Sequence, residues 1–396
     1  MTLRTLDDLG DVSGARVFVR VDYNVPLSGG GVADDLRIRA SLPTLNELLD
    51  RGAALVLGSH LGRPNGEVRE DLRMTPVADR LEELLVRDAA ALSVVVGEEA
   101  EAVCSHVEPG DVVLLENLRF EPGETKDDPA FADALAGLAD VYVNDAFGAA
   151  HRAHASVHAL ATRFERRAAG RLLQREVEVL SGLLEGPEAP YVAVLGGAKV
   201  SDKLGAISGL LDRVDALLIG GAMAFTFLAA GGTPTGKSLV EEDRFDDVRK
   251  AEARAADRGA LLQLPEDVVV AAEASVEAAR RTVGVDAIPA DQMGLDIGPR
   301  TVEEFARTLA DARTILWNGP MGVFELEPFS SGTRGVAMAV AGAKALTVVG
   351  GGDSLLAVKR LGLEGSFDHL STGGGASLEF LEGRELPGIA VLQKED

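Results

Sequence analysis

Short apolar segments alternate with longer amphipathic segments along most of the chain. The strand candidates are apolar throughout, a pattern typical of strands covered on both faces of a parallel sheet. They are Arg16–Val21, Ala54–Gly58, Val112–Leu115, Val141–Asn144, Tyr191–Leu195, Ala216–Ile219, Ala260–Leu262, Thr314–Trp317 and Leu346–Val349. Helical stretches such as Pro76–Leu85 and Asp243–Asp257 lie between them. This alternation predicts a doubly wound α/β fold.

The length of 396 residues favours two domains over a single core. An apolar stripe with helical spacing runs from Leu172 to Leu184 and ends at Gly186-Pro187. We interpret residues 171–186 as an interdomain helix, although an ordinary surface helix would show the same pattern. The predicted organisation is two Rossmann-like domains, residues 1–170 with the tail 384–396 and residues 187–383.

Composition excludes several classes of partner. The net charge of −24 argues against nucleic acid, because an acidic surface repels a polyanion. Cys104 is the single cysteine, so neither a disulfide framework nor a thiolate zinc site is expected. Met1–Asp11 lacks the pattern of a signal peptide, and no apolar run approaches the ~20 residues of a membrane span. We therefore expect a cytoplasmic protein with no membrane partner.

Polar residues follow four predicted strands in the first half of the chain. Ligands of open α/β sheets bind at the carboxyl ends of strands, and arginine matches phosphate and carboxylate oxygens in bidentate geometry. The candidates are Asp22, Asn24, Arg37, His60, Arg63, Arg119, His151 and Arg152. Any one arginine could form a surface salt bridge instead, but the repeated placement predicts a site for a small dianion.

The glycine-rich loops that could cradle a nucleotide all come after residue 195, at Gly196–Lys199, Gly350–Asp353 and Thr372–Gly375. Glycine lets backbone amides approach phosphate closely, and a helix N-terminus favours the anion. Lys199 and Lys203 are four residues apart and share a helix face, although they could also be solvated. Asp353 offers the oxygen ligand that Mg²⁺ prefers. The two halves together predict two phosphorylated ligands.

Gly231–Ser238 matches the pattern of a P-loop, which joins a buried strand to a helix. The residues before it, Met223–Ala230, favour a helix instead of a strand. Pro234 also removes a backbone donor from the loop. We therefore expect that this segment does not bind phosphate.

Long strings of the sequence resemble the phosphoglycerate kinase family. In family order they are Arg20–Pro26, Ser59–Pro64, Glu116–Phe120, Val143–Gly148, Ala150–His154, Trp317–Glu325, Gly350–Ser354 and Ser371–Glu379. They cover nearly the whole chain and are far more specific than the short glycine patterns. The departures are small, with Ala149 where the family often has threonine and Ala222 where a third glycine is usual.

The resemblance implies reversible phosphoryl transfer between ATP and the carboxylate of 3-phosphoglycerate, giving ADP and 1,3-bisphosphoglycerate, with Mg²⁺ bound to the nucleotide. The implied phosphoglycerate site comprises Asp22, Tyr23, Asn24, Arg37, His60, Leu61, Gly62, Arg63, Arg119 and Arg152. The implied nucleotide site comprises Gly197, Lys203, Gly294, Asn318, Glu325, Gly351, Gly352, Asp353 and Ser354. Within it, Asp353 is the implied Mg²⁺ ligand, and Asn318 and Glu325 lie where the ribose would be. The candidates for stabilising the transferring group are Arg37, Lys199, Gly373, Gly374 and Gly375.

A carboxylate is already a nucleophile at neutral pH, so this reaction requires positioning and positive charge and no general base. We expect hinge closure about Arg171–Leu184 to bring the two ligands together, and we expect a monomer. Two alternatives stay open. One is a P-loop NTPase that depends on Lys237, and the other is a non-catalytic scaffold that kept the fold.

Overall fold

The computed structural model describes residues 2–394 and has the doubly wound α/β fold that the sequence predicts. The described residues form two compact units. Unit 1 comprises the chain up to Glu178 together with the segment from Glu385 onward, and unit 2 comprises Val179–Arg384. Among these residues, no helix is both long enough and apolar enough to cross a membrane.

Unit 1 is built on a six-stranded parallel sheet with the order β5-β6-β4-β1-β7-β8. Strands β2 and β3 form a separate two-stranded hairpin. The strands are β1 Arg16–Arg20, β2 Leu27–Ser28, β3 Gly31–Val32, β4 Ala54–Gly58, β5 Ala90–Ala91, β6 Val112–Leu114, β7 Val141–Asn144 and β8 Arg167–Ala169. The helices are α1 Leu36–Asp50, α2 Thr75–Leu85, α3 Glu98–Cys104, α4 Pro129–Ala136 and α5 Arg171–Glu185. Every residue of β4 and β7 is buried, which explains why both strands are mostly apolar.

Unit 2 contains a second six-stranded parallel sheet, with the order β11-β10-β9-β15-β16-β17. The strands are β9 Tyr191–Leu195, β10 Ala216–Ile219, β11 Leu261–Gln263, β12 Asp267–Ala271, β13 Arg281–Gly284, β14 Met293–Ile297, β15 Thr314–Asn318, β16 Leu346–Gly350 and β17 His369–Leu370. The helices are α6 Leu204–Leu211, α7 Met223–Ala230, α8 Phe245–Arg258, α9 Pro299–Ala310, α10 Ser331–Ala341, α11 Gly352–Arg360 and α12 Gly375–Leu381, and α13 Pro387–Ala390 follows in the last segment of unit 1.

The predicted strands are confirmed, with ends that differ by at most one residue. The predicted helix Asp243–Asp257 begins two residues later as α8, because Glu242–Arg244 forms a 3₁₀ turn. The antiparallel sheet β13-β12-β14 was not predicted. Its strand β13 is partly exposed and has no apolar run to reveal it.

Helix α5 is continuous, and the division between the units falls within it, after Glu178. Its N-terminus rests on Asp145, which follows β7. The carboxylate Oδ1 of Asp145 accepts hydrogen bonds from the amides of Leu172 and Leu173 at 3.0 and 3.2 Å. Burial raises the pKa of Asp145 to about 7, while hydrogen bonds from Thr44 and from these two amides act in the opposite direction. The start of α5 is therefore held by a carboxyl group that titrates near neutral pH.

The P-loop alternative fails on its local structure. Gly231–Ser238 follows helix α7, whereas a phosphate-binding P-loop follows a buried strand. The side chain of Lys237 is exposed to solvent. The segment therefore matches the P-loop sequence pattern but lacks the strand–loop–helix geometry.

Candidate functional site

The polar residues of unit 1 meet at one edge of its sheet. Strands β6, β4, β1 and β7 are consecutive neighbours in the sheet order. Asp22 follows β1, His60 follows β4, Arg119 follows β6 and Arg152 follows β7. Because all these strands are parallel, their carboxyl ends and the loops that carry these side chains lie side by side.

A chain of short contacts joins three of these loops. Arg37 Nη1 lies 3.0 Å from Asp22 Oδ2 and donates to the carbonyl oxygen of Asn24 at 3.2 Å. The amide of Gly62 donates to Asn24 Oδ1 at 2.9 Å. Arg119 Nη1 donates to the carbonyl oxygen of Gly62 at 2.7 Å. The arginines are thereby fixed to the loops by polar contacts.

Arg20, which was not among the predicted site residues, is fully buried beneath this edge. Its Nη2 lies 3.1 Å from His60 Nδ1, and its Nε donates to Ser156 Oγ at 2.8 Å. Ser156 Oγ in turn donates to Glu124 Oε1 at 2.6 Å, and Glu124 is also fully buried. The sequence signal that could have identified it is an arginine at the carboxyl end of a strand, directly after the apolar residues Val17–Val19.

We call Arg20, Arg37, Arg119 and Arg152 the cationic cluster. Burial and then the charges of Arg20 and Arg152 lower the pKa of Arg119 to about 10, with Glu124 and Asp22 acting in the opposite direction. Burial and then Arg119 and Arg20 lower the pKa of His154 to about 4. The same causes depress the pKa of His60 well below its usual value. Both imidazoles are therefore neutral at pH 7.

Arg119 thus has two like charges beside it, Arg20 and Arg152, and of the two carboxylates that act on it, Asp22 is already paired with Arg37. Arg119 Nε is also buried without a hydrogen-bond partner among the described residues. A buried donor without an acceptor is costly, and so is like-charge repulsion. A bound anion would relieve both.

The remaining predicted residues of unit 1 differ in exposure. Arg63 and Arg152 are exposed, and Arg152 Nε donates to His151 Nε2 at 3.0 Å. Tyr23 and Leu61 are buried in the core, where Tyr23 Oη lies 2.8 Å from Ser41 Oγ. These two side chains can therefore act only by holding the loops that carry Asn24 and Gly62.

In unit 2, the loops after β9, β10 and β15 cross with almost no space between them. The amide of Gly197 donates to the carbonyl oxygen of Pro320 at 3.0 Å. A Cβ on Gly196 would lie 2.1 Å from that same oxygen, and one on Gly221 would lie 2.5 Å from the amide nitrogen of Gly197. Only glycine allows this approach of backbone to backbone.

Lys203 reaches the same point from the start of α6. Its Nζ donates to the carbonyl oxygen of Asn318 at 2.8 Å and to Asn318 Oδ1 at 2.5 Å. Only 9% of Lys203 is exposed, and burial lowers its pKa to about 8 against the opposing effect of Asp353 and Asp202. The ammonium group therefore lies buried beside the glycine loops.

A cavity of about 370 Å³ opens beside these loops. One wall is apolar and comprises Phe225, Leu239, Val268, Leu295 and Val323. It was not predicted from the sequence, because these residues come from five separate segments: α7, the loop after it, β12, β14 and the loop after β15. The predicted residues Gly197, Gly294, Glu325 and Asp353 also line the cavity. An apolar slot that ends in glycine loops suits a nucleotide, because the base is apolar on its faces and the phosphates are anionic.

Two predicted nucleotide residues lie beneath the loops. Asn318 is 2% exposed and contacts Lys203, and Ser354 is fully buried, with its Oγ accepting from the amide of Gly319 at 2.6 Å. Gly351 has a φ of +90° and packs over the Asn318 amide group. Both side chains therefore support the glycine loops from below.

The residues proposed for catalysis in unit 2 are placed around the same sheet edge. Lys199 is exposed and lies in the loop between β9 and α6. The predicted helix face shared by Lys199 and Lys203 is therefore wrong, because α6 begins only at Leu204. Gly373 and Gly374 precede α12, and Gly374 has a φ of +54°, a conformation that favours glycine. Gly375 is the first residue of α12.

Asp353 is the residue of this edge best suited to hold a metal ion. It is exposed, lines the cavity and directly follows the glycine loop at the start of α11. Within residues 2–394, no group of three or more His, Cys, Asp or Glu side chains could hold a metal by itself. One carboxylate is enough for Mg²⁺ when nucleotide phosphates and waters complete its shell.

Two parallel α/β units, one with a cationic cluster and one with a glycine-lined cavity, are the architecture of a two-domain α/β kinase. The phosphoglycerate kinase family model matches residues 6–384. The chain is 57% identical to the phosphoglycerate kinase of Rubrobacter xylanophilus, covering 100% of both chains, and 56% identical to that of Thermomicrobium roseum, covering 99% of this chain and 100% of the relative. The chain therefore belongs to the phosphoglycerate kinase family and is a glycolytic kinase.

Solved structures agree with this assignment. The phosphoglycerate kinase of Coxiella burnetii aligns with a TM-score of 0.87 at 41% identity, covering 98% of each chain. That of Pyrococcus horikoshii aligns with a TM-score of 0.87 at 34% identity, covering 99% of this chain and 98% of the other. The predicted family and fold are confirmed.

Proposed function

We propose that unit 1 binds 3-phosphoglycerate at the cationic cluster and that unit 2 binds Mg-ATP in its cavity. The observation that carries this assignment is the surplus of guanidinium groups around Arg119. In a chain with a net charge of −24, the like charges of Arg20 and Arg152 beside Arg119 form a site that favours an anionic ligand. The neutral imidazoles of His60 and His154 can offer N–H donors without adding charge.

The nucleotide lies with its base against the apolar wall and its phosphates toward the glycine loops. Lys203 neutralises phosphate oxygens from below, because its buried ammonium group lies beside Gly197 and Gly319. Asp353 holds the Mg²⁺ ion of Mg-ATP, which supplies positive charge to the phosphates. Glu325 is exposed at the rim of the cavity, where it can accept hydrogen bonds from the ribose hydroxyls.

The reaction is a direct in-line transfer. The carboxylate of 3-phosphoglycerate attacks the γ-phosphorus of ATP, the bond from that phosphorus to the β,γ-bridging oxygen breaks, and ADP leaves. The barrier is repulsion between anions, so positive charge and backbone donors supply the catalysis. Arg37 from unit 1 and Lys199 with the amides of Gly373–Gly375 from unit 2 stabilise the transferring phosphoryl group.

Because the two sites belong to separate units, the reaction requires hinge closure about α5. Closure also keeps water from the acyl phosphate product. The protein acts as a monomer, since one chain carries both sites, and light scattering at the chain mass of 41.4 kDa would check this. It acts in the cytoplasm, where its single buried Cys104 stays reduced.

A coupled assay with ATP, Mg²⁺ and 3-phosphoglycerate tests the function. We expect ADP formation that requires all three components. Omitting 3-phosphoglycerate is the control for ATP hydrolysis, because a P-loop NTPase would still release ADP. A scaffold that had lost catalysis would give no turnover in any mixture, and that result would refute the proposal.

A further inference from the structure

The P-loop-like segment Gly231–Ser238 is hydrogen-bonded to the residues just before β14. The amide of Lys237 donates to the carbonyl oxygen of Gln292 at 2.8 Å. Gly236 has a φ of +60°, and a Cβ there would lie 2.4 Å from the carbonyl oxygens of Gln292 and Pro289. The glycine of this segment is therefore needed for close packing against residues 289–292.

The serine of the segment completes the hydrogen bonding of β14. Ser238 Oγ accepts from the amide of Gly294 at 2.9 Å, and Ser238 is only 9% exposed. Strand β14 lies at the edge of its three-stranded sheet, and its register with β12 shifts so that Leu295 has no partner. A bulge of this kind interrupts the backbone ladder, and a buried amide without an acceptor is costly. Ser238 supplies that acceptor.

Strand β14 is also a wall of the nucleotide cavity. All five of its residues, Met293–Ile297, line the cavity. A Cβ on Gly294 would lie 2.0 Å from Phe225 Cζ, so the Phe225 ring packs directly against the backbone that Ser238 holds. Leu239, the residue after Ser238, lines the same cavity and is 48% exposed. One hydroxyl group therefore connects three parts of the cavity wall.

We propose that Ser238 is a positioning residue for the nucleotide, fixing the distance between β14, Phe225 and Leu239. Ser238 itself does not line the cavity, so it acts through its neighbours. The side chain of Ser238 thus supports the wall of the proposed nucleotide site, whereas the side chain of Lys237 does not contribute to it. The inference rests on the proposed nucleotide site in unit 2.

The test compares Ser238→Ala with the matched control Lys237→Ala in the full-length enzyme. Ser238→Ala removes the acceptor, and we expect the KM for ATP and the Kd for Mg-ADP to rise about fivefold to tenfold, as for one lost hydrogen bond. The KM for 3-phosphoglycerate and the kcat at saturating ATP should stay within about twofold, because the lost contact acts on ground-state binding. Ser238→Thr keeps the hydroxyl group and should restore the nucleotide KM.

Lys237→Ala keeps the backbone hydrogen bond to Gln292 and removes only an exposed side chain, so its kinetics should match the wild type. Equal nucleotide KM values in Ser238→Ala and the wild type would overturn the positioning role. A larger effect in Lys237→Ala than in Ser238→Ala would overturn it too.

Wild-type protein that fails to bind Mg-ADP would refute the nucleotide site itself, and the positioning role with it. If Ser238→Ala does not fold, Ser238→Cys, a weaker acceptor, takes its place with the same expected rise.

Discussion

The buried ammonium group of Lys203 should make nucleotide affinity depend on pH. Its pKa is lowered from 10.5 to about 8, chiefly by burial. The drop corresponds to a cost of about 3 kcal/mol for keeping the charge in the folded protein at neutral pH. The unfolded chain keeps this proton up to pH 10.5, so the contribution of Lys203 to folding stability rises as the pH increases from 8. A phosphate beside Nζ would favour the charged form.

The magnitude follows from the protonated fraction of Lys203. With a pKa of about 8, roughly nine-tenths of the free protein carries the charge at pH 7 and roughly one-tenth at pH 9. If phosphate binds only the charged form, the Kd for Mg-ADP should rise roughly tenfold between these pH values. The terminal phosphate of ADP does not contribute, because a phosphate second ionisation with a pKa of ~6 is complete there.

Isothermal titration calorimetry with Mg-ADP at pH 7, 8 and 9 measures this dependence. Repeating the titration in buffers of different ionisation enthalpy should reveal proton uptake on binding at pH 8 to 9. Lys203→Met is the matched control, since it should bind weakly and without this pH dependence. A flat wild-type Kd from pH 7 to 9, or the same slope in Lys203→Met, would refute the reasoning.

Three further outcomes are expected. Replacing Arg119 with Met should weaken 3-phosphoglycerate binding about 100-fold without lowering the ligand-free melting temperature, because the lost charge is repelled by Arg20 and Arg152; unchanged affinity in a direct titration would contradict this. Lys199→Ala should lower kcat by roughly 10²–10³ while Lys237→Ala leaves it near normal, and the reverse order in the coupled assay would restore the P-loop alternative. The folded pKa of Asp145 is raised to about 7, so its contribution to stability is lost as the pH rises from 4 to 7. The urea midpoint of Asp145→Asn should therefore increase relative to that of the wild type over this pH range. A constant difference between the two midpoints would contradict the raised pKa.

The parallel sheets could be predicted because their strands are buried on both faces. Such strands read as uninterrupted apolar runs, as in Ala54–Gly58, and their positions follow from the sequence alone. The antiparallel sheet β13-β12-β14 could not be predicted in this way. Strand β13 is partly exposed, and β14 carries the buried Asp296 and a bulge, so neither shows a clean period.

The charged part of the site was easier to predict than its apolar part. Arginines and glycines that follow strands, such as Arg119 and Gly197, can be recognised as candidate ligand-binding residues from their residue type and their position in the sequence. Phe225 and Leu239 are separated in sequence and look like ordinary core residues until the fold brings them to one cavity. The hydroxyl of Ser238 was missed for a related reason, because its partner is a backbone amide 56 residues away.

The proposed reaction requires that two ligands held by separate units come together for transfer. Small-angle X-ray scattering of the full-length protein measures this directly, with Mg-ADP alone, 3-phosphoglycerate alone and both together. We expect the radius of gyration to fall when both ligands are present and to fall less with either one. A radius that stays the same in all conditions, in a sample that turns over in the coupled assay, would contradict hinge closure.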